Sequence, residues 1–279
     1  MKKTIYSLYV AAVAMPFSSC VKDELYDTPH PSAGQLTVVT EWSGISAEAK
    51  MPDAYILQIG DVSQAVSGTT NVFEDLLPQG EYTLAVHNVP EKAVQTNGII
   101  SVNTAEPGYI EALPGYLFHS LRTFGISADT DMTLVVPMRQ YTRRLELVMT
   151  VSEGDHSRIA SATATLSGIC GSMDMATATR STEPQKTKTT FTQEGNRFTT
   201  ACHLLGITPQ APQTLAVDIT FTNGDTQRIE SDLSEALASF HSDSSVVRLT
   251  GNLTLPVEGV FLAEISGWQV AEGGNTDAH

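Results

Sequence analysis

The sequence predicts an all-β chain of two tandem antiparallel β-sandwiches behind an export signal. Three observations carry this. Apolar and polar residues alternate at a period of two through much of the chain, the pattern of strands buried on one face. Turn signals such as Leu77-Pro78-Gln79-Gly80 and Asn223-Gly224 separate these runs. Only 17% of the residues are charged, while Val, Leu, Ile, Thr, Ser and Gly are plentiful, a balance that favours strands and turns over helices.

Residues 1–19 read as a lipoprotein signal peptide ahead of Cys20. Lys2 and Lys3 form a basic start, Ile5 to Phe17 is mostly apolar, and the small residues Ser18 and Ser19 precede Cys20. The apolar run is short of the roughly 20 residues that span a bilayer. Cleavage before Cys20 leaves that cysteine as the new N-terminus and the lipidation site. A thioether-linked diacylglycerol and an amide-linked acyl chain there would anchor the protein durably, because each buried methylene contributes about 0.8 kcal/mol and a single chain is marginal. Phe17 stands where bacterial lipoboxes usually carry Leu, and an ordinary secretory peptide with an incidental cysteine is the alternative. Lys22, Asp23 and Glu24 follow, and Val21-Lys22-Asp23-Glu24 resembles the signal that sends Bacteroidetes lipoproteins to the outer face of the outer membrane.

The chain then divides into a lipidated tether (20–33), an N-terminal sandwich (34–138), a C-terminal sandwich (139–258) and a terminal strand with its tail (259–279). Pro29 and Pro31 keep the tether extended. In the first sandwich, strands are expected at Gln35 to Trp42, Ala54 to Ile59, Glu81 to Asn88, Gly98 to Val102, Tyr116 to Ile126 and Met132 to Met138. In the second they fall at Leu145 to Val151, Ser161 to Ile169, Thr187 to Gln193, Phe198 to Leu205, Leu215 to Phe221 and Val247 to Leu255. Asp232 to Phe240 is expected as the one helix, with Leu233, Leu237 and Phe240 on a common face and Asp232 and Glu235 as a capping pair. In the last segment Val260, Phe261, Leu262, Ala263, Ile265, Trp268 and Val270 have strand composition. A bulge at Ser266-Gly267 would return Trp268 to the face of Phe261, Ala263 and Ile265.

The formal net charge of −15 becomes −17 once Lys2 and Lys3 are removed. So acidic a body is a poor partner for nucleic acid or anionic headgroups. With Cys20 acylated, Cys170 and Cys202 remain, either as one disulfide or as two buried thiols. The seven histidines are scattered, with no HExxH, and no G-x-S-x-G elbow, phosphate loop or C-x-x-C is present. Asp129-Thr130-Asp131 lacks the flanking ligands of a calcium loop and reads as a solvated turn. No catalytic residue, metal site or cofactor is therefore expected. A glycan-binding surface module stays open, with Trp42 and Trp268 as thin material for a sugar platform.

Together the Ser18-Ser19-Cys20 site, the Gly34-to-Trp42 opening, Leu77-Pro78-Gln79-Gly80-Glu81-Tyr82, Tyr141-Thr142-Arg143-Arg144-Leu145, Leu166-Ser167-Gly168-Ile169, Asn223-Gly224 and Leu253-Thr254-Leu255-Pro256 resemble the FimB-type fimbrial anchor lipoproteins of Bacteroidales. The resemblance implies transthyretin-like or immunoglobulin-like sandwiches, fimbrial pilin subunits as partners, and a place on the outer membrane at the base of a type V pilus. It also implies assembly by strand exchange, in which a stalk subunit loses its first strand to a protease and accepts a neighbour's terminal strand. Between Cys20 and Leu121 the chain has no Arg, the usual cleavage residue, and carries only Lys22, Lys50 and Lys92. The expectation is an uncut first strand at Gln35 to Trp42. The terminal segment is either a strand presented to a pilin or an edge strand of its own domain.

Overall fold

The computed structural model describes residues 32–208, 210–255 and 262–271. Among them the chain is built from β-strands, with one short 3-10 turn at His156–Arg158 and no α-helix.

The first half forms two facing sheets. One runs in the order Arg139–Gln140, Phe118–Ile126, Gly80–His87, Tyr55–Ile59, Val62–Val66; the other places Leu36–Glu41 between Met132–Pro137 and Thr70–Val72. Inward residues at every second position, Leu36 and Val38 among them, meet Leu57, Leu84, Val86 and Phe118 in one apolar core. Chain entry is tight: a Cβ on Gly34 would lie 2.2 Å from the Thr130 carbonyl oxygen. Only glycine lets the chain pass there.

The second half repeats the plan. A six-stranded sheet runs Thr104–Glu106, Tyr109–Ile110, Pro184–Thr190, Ile159–Cys170, Thr214–Phe221, Thr226–Asp232, its first two strands supplied by the first half. A five-stranded sheet runs Thr192–Glu194, Arg197–Leu204, Arg143–Glu153, Val247–Thr254, Glu264–Val270. In each half the opening strand lies parallel to a late one: Leu36–Glu41 beside Met132–Pro137, and Arg143–Glu153 beside Val247–Thr254. The other pairings are antiparallel, apart from a single parallel bridge between Ile110 and Thr187.

A smaller four-stranded sheet joins Ala93–Thr96 and Ile99–Val102 to Ser172–Asp174 and Thr179–Arg180. Strand pairing thus crosses residue 138. Ile100, Leu117, Met173, Met175 and Leu205 form a third apolar cluster at this crossing.

One sequence expectation is corrected. Asp232 ends the strand Thr226–Asp232 and residues 234–240 form consecutive turns in place of a helix, although Leu233, Leu237 and Phe240 are all buried as expected. Leu237 N–H reaches the Leu233 carbonyl at 2.9 Å, but Ala238 and Phe240 bond three residues back, to Glu235 and Leu237. Asp232 accepts from Ser234 N–H at 2.9 Å, closing a local turn. Arg143 explains why this segment holds its shape. Its guanidinium, almost fully buried, donates to the carbonyls of Ser239, Phe240 and Ser245 and to Asp243 Oδ1 at 2.7 Å. A side chain from the opening strand of this half therefore supplies donors that a helix would have drawn from its own backbone.

Candidate functional site: the opening and terminal strands

The opening strand Leu36–Glu41 is filled in and fastened. Its backbone pairs on both sides, with Met132–Pro137 and with Thr70–Val72. Leu36 and Val38 are fully buried and Thr40 nearly so. The Tyr55 hydroxyl lies 3.1 Å from Thr40 Oγ1, donates to the Gly68 carbonyl at 2.8 Å and accepts from Asn71 Nδ2 at 2.9 Å. Trp42 Nε1 donates to Thr40 Oγ1 at 2.9 Å, and its ring meets Tyr55 and Phe118 edge-on. Trp42 is thus a packing residue.

The terminal strand Glu264–Val270 pairs antiparallel with Val247–Thr254 at the edge of the second five-stranded sheet. Ala263 and Ile265 are buried, Trp268 is half-buried against the same core, Val270 is half-exposed and Leu262 is exposed. Thr250 faces Gln269 and Asn252 faces Ser266, so Gly267 and Trp268 together oppose Gly251. This is a β-bulge, and Gly267 carries its left-handed conformation at φ +59°. The bulge falls at Gly267-Trp268, one residue beyond the expected Ser266-Gly267, and sets Trp268 on the face of Ile265 as that expectation required. Gly251 is small because a Cβ there would come within 3.1 Å of the Trp268 ring and 3.2 Å of Ile265 Cγ2.

Side chains from Thr226–Asp232, the edge strand of the other sheet, hold this segment. Gln227 Nε2 donates to the Ala263 carbonyl at 2.7 Å, and Ala263 N–H donates to Gln227 Oε1 at 2.8 Å. Trp268 Nε1 donates to Ser231 Oγ at 3.2 Å. Sequence reading passed over Gln227, Ser231 and Gly251. Only Gly251 left a signal, as the gap in the inward row Val247, Leu249, Leu253.

Cys20, Lys22, Asp23, Glu24, Val260 and Phe261 lie outside the described residues. Cys170 and Cys202 are two buried free thiols, not a disulfide. Cys170 Sγ donates to the Ser172 carbonyl at 3.1 Å, and burial pushes the Cys202 thiol up to about 12. The histidines on strands are packed and hydrogen-bonded: His87 to Gln95, His119 to the Met175 carbonyl, His203 to the Pro114 carbonyl. Burial lowers the pKa of all three. Among the described residues no three His, Cys, Asp or Glu side chains gather as metal ligands.

A family model for the fimbrillin-A associated anchor proteins Mfa1 and Mfa2 matches residues 28–272. The chain belongs to this family. Its members are fimbrillin-A associated anchor proteins, so the chain is a fimbria-associated protein of the anchor type. Solved structures share the fold at low identity. The fimbrial anchor protein Mfa2 from Porphyromonas gingivalis is 15% identical with a TM-score of 0.51, over 85% of this chain and 99% of that one. A candidate adhesin from Bacteroides ovatus is 12% identical with a TM-score of 0.61, over 86% and 94%. A candidate polysaccharide-binding protein from Bacteroides thetaiotaomicron is 12% identical with a TM-score of 0.59, over 85% and 98%. No curated protein sequence matches the chain.

Proposed function

We infer that this protein is an outer-membrane surface lipoprotein that ends a fimbria and ties it to the cell. Residues 34–138 and 139–258 act as two sandwich units, Cys20 carries the lipid, and Lys22, Asp23 and Glu24 direct export to the outer face. The carrying observation is the opening strand. Leu36–Glu41 is paired on both sides and pinned through Thr40 and Tyr55, so the groove that a cut subunit would open is already filled. A subunit with its groove filled cannot accept a neighbour's strand. It can lend its own terminal segment, whose strand Glu264–Val270 sits at a sheet edge and which presents Ala263, Ile265, Trp268 and Val270.

The glycan reading finds less support. Trp42 is packed on Tyr55 and Phe118, and Trp268 lies over Gly251 and packs on the core of the second half, so both indoles are engaged in packing.

Two experiments test the anchor role. Cys20→Ala is expected to release fimbriae into the medium, and fimbriae still held on the cells would count against it. Removal of residues 260–279 is expected to abolish co-purification with the shaft pilin, and undiminished capture would remove the donor role.

A further inference from the structure

The terminal strand is held in a conformation that an ordinary strand cannot have. In a regular strand successive side chains alternate between faces, so residues three apart point in opposite directions. Ile265 and Trp268 are three apart, yet both face the core of their own domain. Only the extra residue at the bulge makes this possible, and the bulge depends on Gly267 at φ +59°. Once straightened, the same strand would carry Ala263 and Ile265 on one face and Trp268 and Val270 on the other.

We propose that Gly267 makes the terminal strand a two-state element, bulged when kept at home and regular when lent. This rests on the anchor reading above and specifies how its donor is controlled. The home state is favoured by three features. Gln227 clips the Ala263 backbone at both its N–H and its carbonyl, Ser231 accepts from the Trp268 indole, and Gly251 leaves the indole its seat. The hold is light for a strand. Apart from Ala263 and Ile265 its residues are half-buried or exposed, and the ladder is interrupted at the bulge. A partner that takes the regular form is an open sheet edge with two small apolar pockets at two-residue spacing for Ala263 and Ile265. Its opposite face must leave room for an indole. Gln227 and Ser231 act as positioning residues, since they stay behind when the strand leaves.

The test separates the conformational switch from the anchor role. A Cβ at Gly267 meets nothing within 4 Å, so Gly267→Ala penalises the bulge through its backbone without a clash. In the full mature protein, amide hydrogen exchange over residues 264–270 is expected to accelerate about tenfold, the effect of a left-handed penalty of 1–2 kcal/mol, while the other strands are unchanged. Gln227→Ala is expected to accelerate the same amides through different atoms. Shaft pilin purified from detached fimbriae should be captured faster by both variants than by the native chain. Unaltered exchange in both variants overturns the switch. So does accelerated exchange with unaltered or slower capture, provided that the chain lacking residues 260–279 captures nothing. If that truncated chain still captures pilin, the donor reading falls, and the switch with it.

Discussion

The hydroxyls of Tyr55 and Thr40 lie 3.1 Å apart in the core of the first sandwich, and through them the opening strand is tied to the turn at Gly68. Tyr55 stands on a strand of the facing sheet, so this contact spans the two layers. The same hydroxyl also accepts from Asn71, next to the opening strand. Tyr55→Phe deletes all these bonds and leaves the Thr40 hydroxyl with fewer partners in a site that is 3% exposed. The expected cost is about 1–3 kcal/mol of unfolding free energy by urea titration. Limited proteolysis should then cut first near residues 32–72.

Arg143 is expected to be more sensitive still. Replacement by Ala removes the Arg143 donors from the Phe240 and Ser245 carbonyls, leaves the Ser239 carbonyl with only its bond from Ser242 N–H, and leaves Asp243 without its cation. A loss of about 3 kcal/mol follows for the second half, measured by denaturant unfolding. Arg143→Lys should recover only part, because an ammonium cannot present the same planar fork of donors.

Acid should weaken the junction between the halves. His119 is fully buried on Phe118–Ile126, and its Nε2 lies 2.6 Å from the Met175 carbonyl, in the turn that follows Ser172–Asp174 of the smaller sheet. Burial lowers its pKa from 6.5 to about 4, with the Met175 bond opposing and nearby His87 assisting, while Asp174 opposes. His87, buried beside Gln95, is lowered too. The unfolded chain therefore takes up these protons first as pH falls. The contribution of His119 is complete above pH 6.5, is lost between about 6.5 and 4, and changes no further below that. Melting temperature followed across this window should fall, and His119→Gln should flatten the profile; an unchanged slope in the variant would exclude His119 as the cause.

How much of this could be read from residues alone depended on burial. Leu36–Glu41, Arg143–Glu153 and Thr214–Phe221 bury one face or more of each strand, and burial writes itself into the sequence as alternation. Val62–Val66, Thr70–Val72 and Ala93–Thr96 are mostly exposed strands, and polar residues on both faces leave no period to find. The 232–240 segment misled for the opposite reason. Burial of Leu233, Leu237 and Phe240 mimics a helix face, while the fixing contacts come from Arg143, about a hundred positions away. At the terminal strand the glycines were the readable part, since Gly267 and Gly251 each mark a backbone or packing demand. The Gln227 clip joins residues 36 apart and has no local trace.

The parallel pairing of opening and closing strands has a mechanical meaning for a chain loaded between its two ends. Tension enters Leu36–Glu41 at its first residue and leaves Met132–Pro137 at its last, so the two neighbours are dragged lengthwise past one another. In the second half the parallel pair Arg143–Glu153 and Val247–Thr254 is loaded in the same direction only after the antiparallel edge strand Glu264–Val270 has left Val247–Thr254. In that shear direction the whole ladder shares the load at once, whereas an antiparallel pair pulled from adjacent ends would unzip one rung at a time.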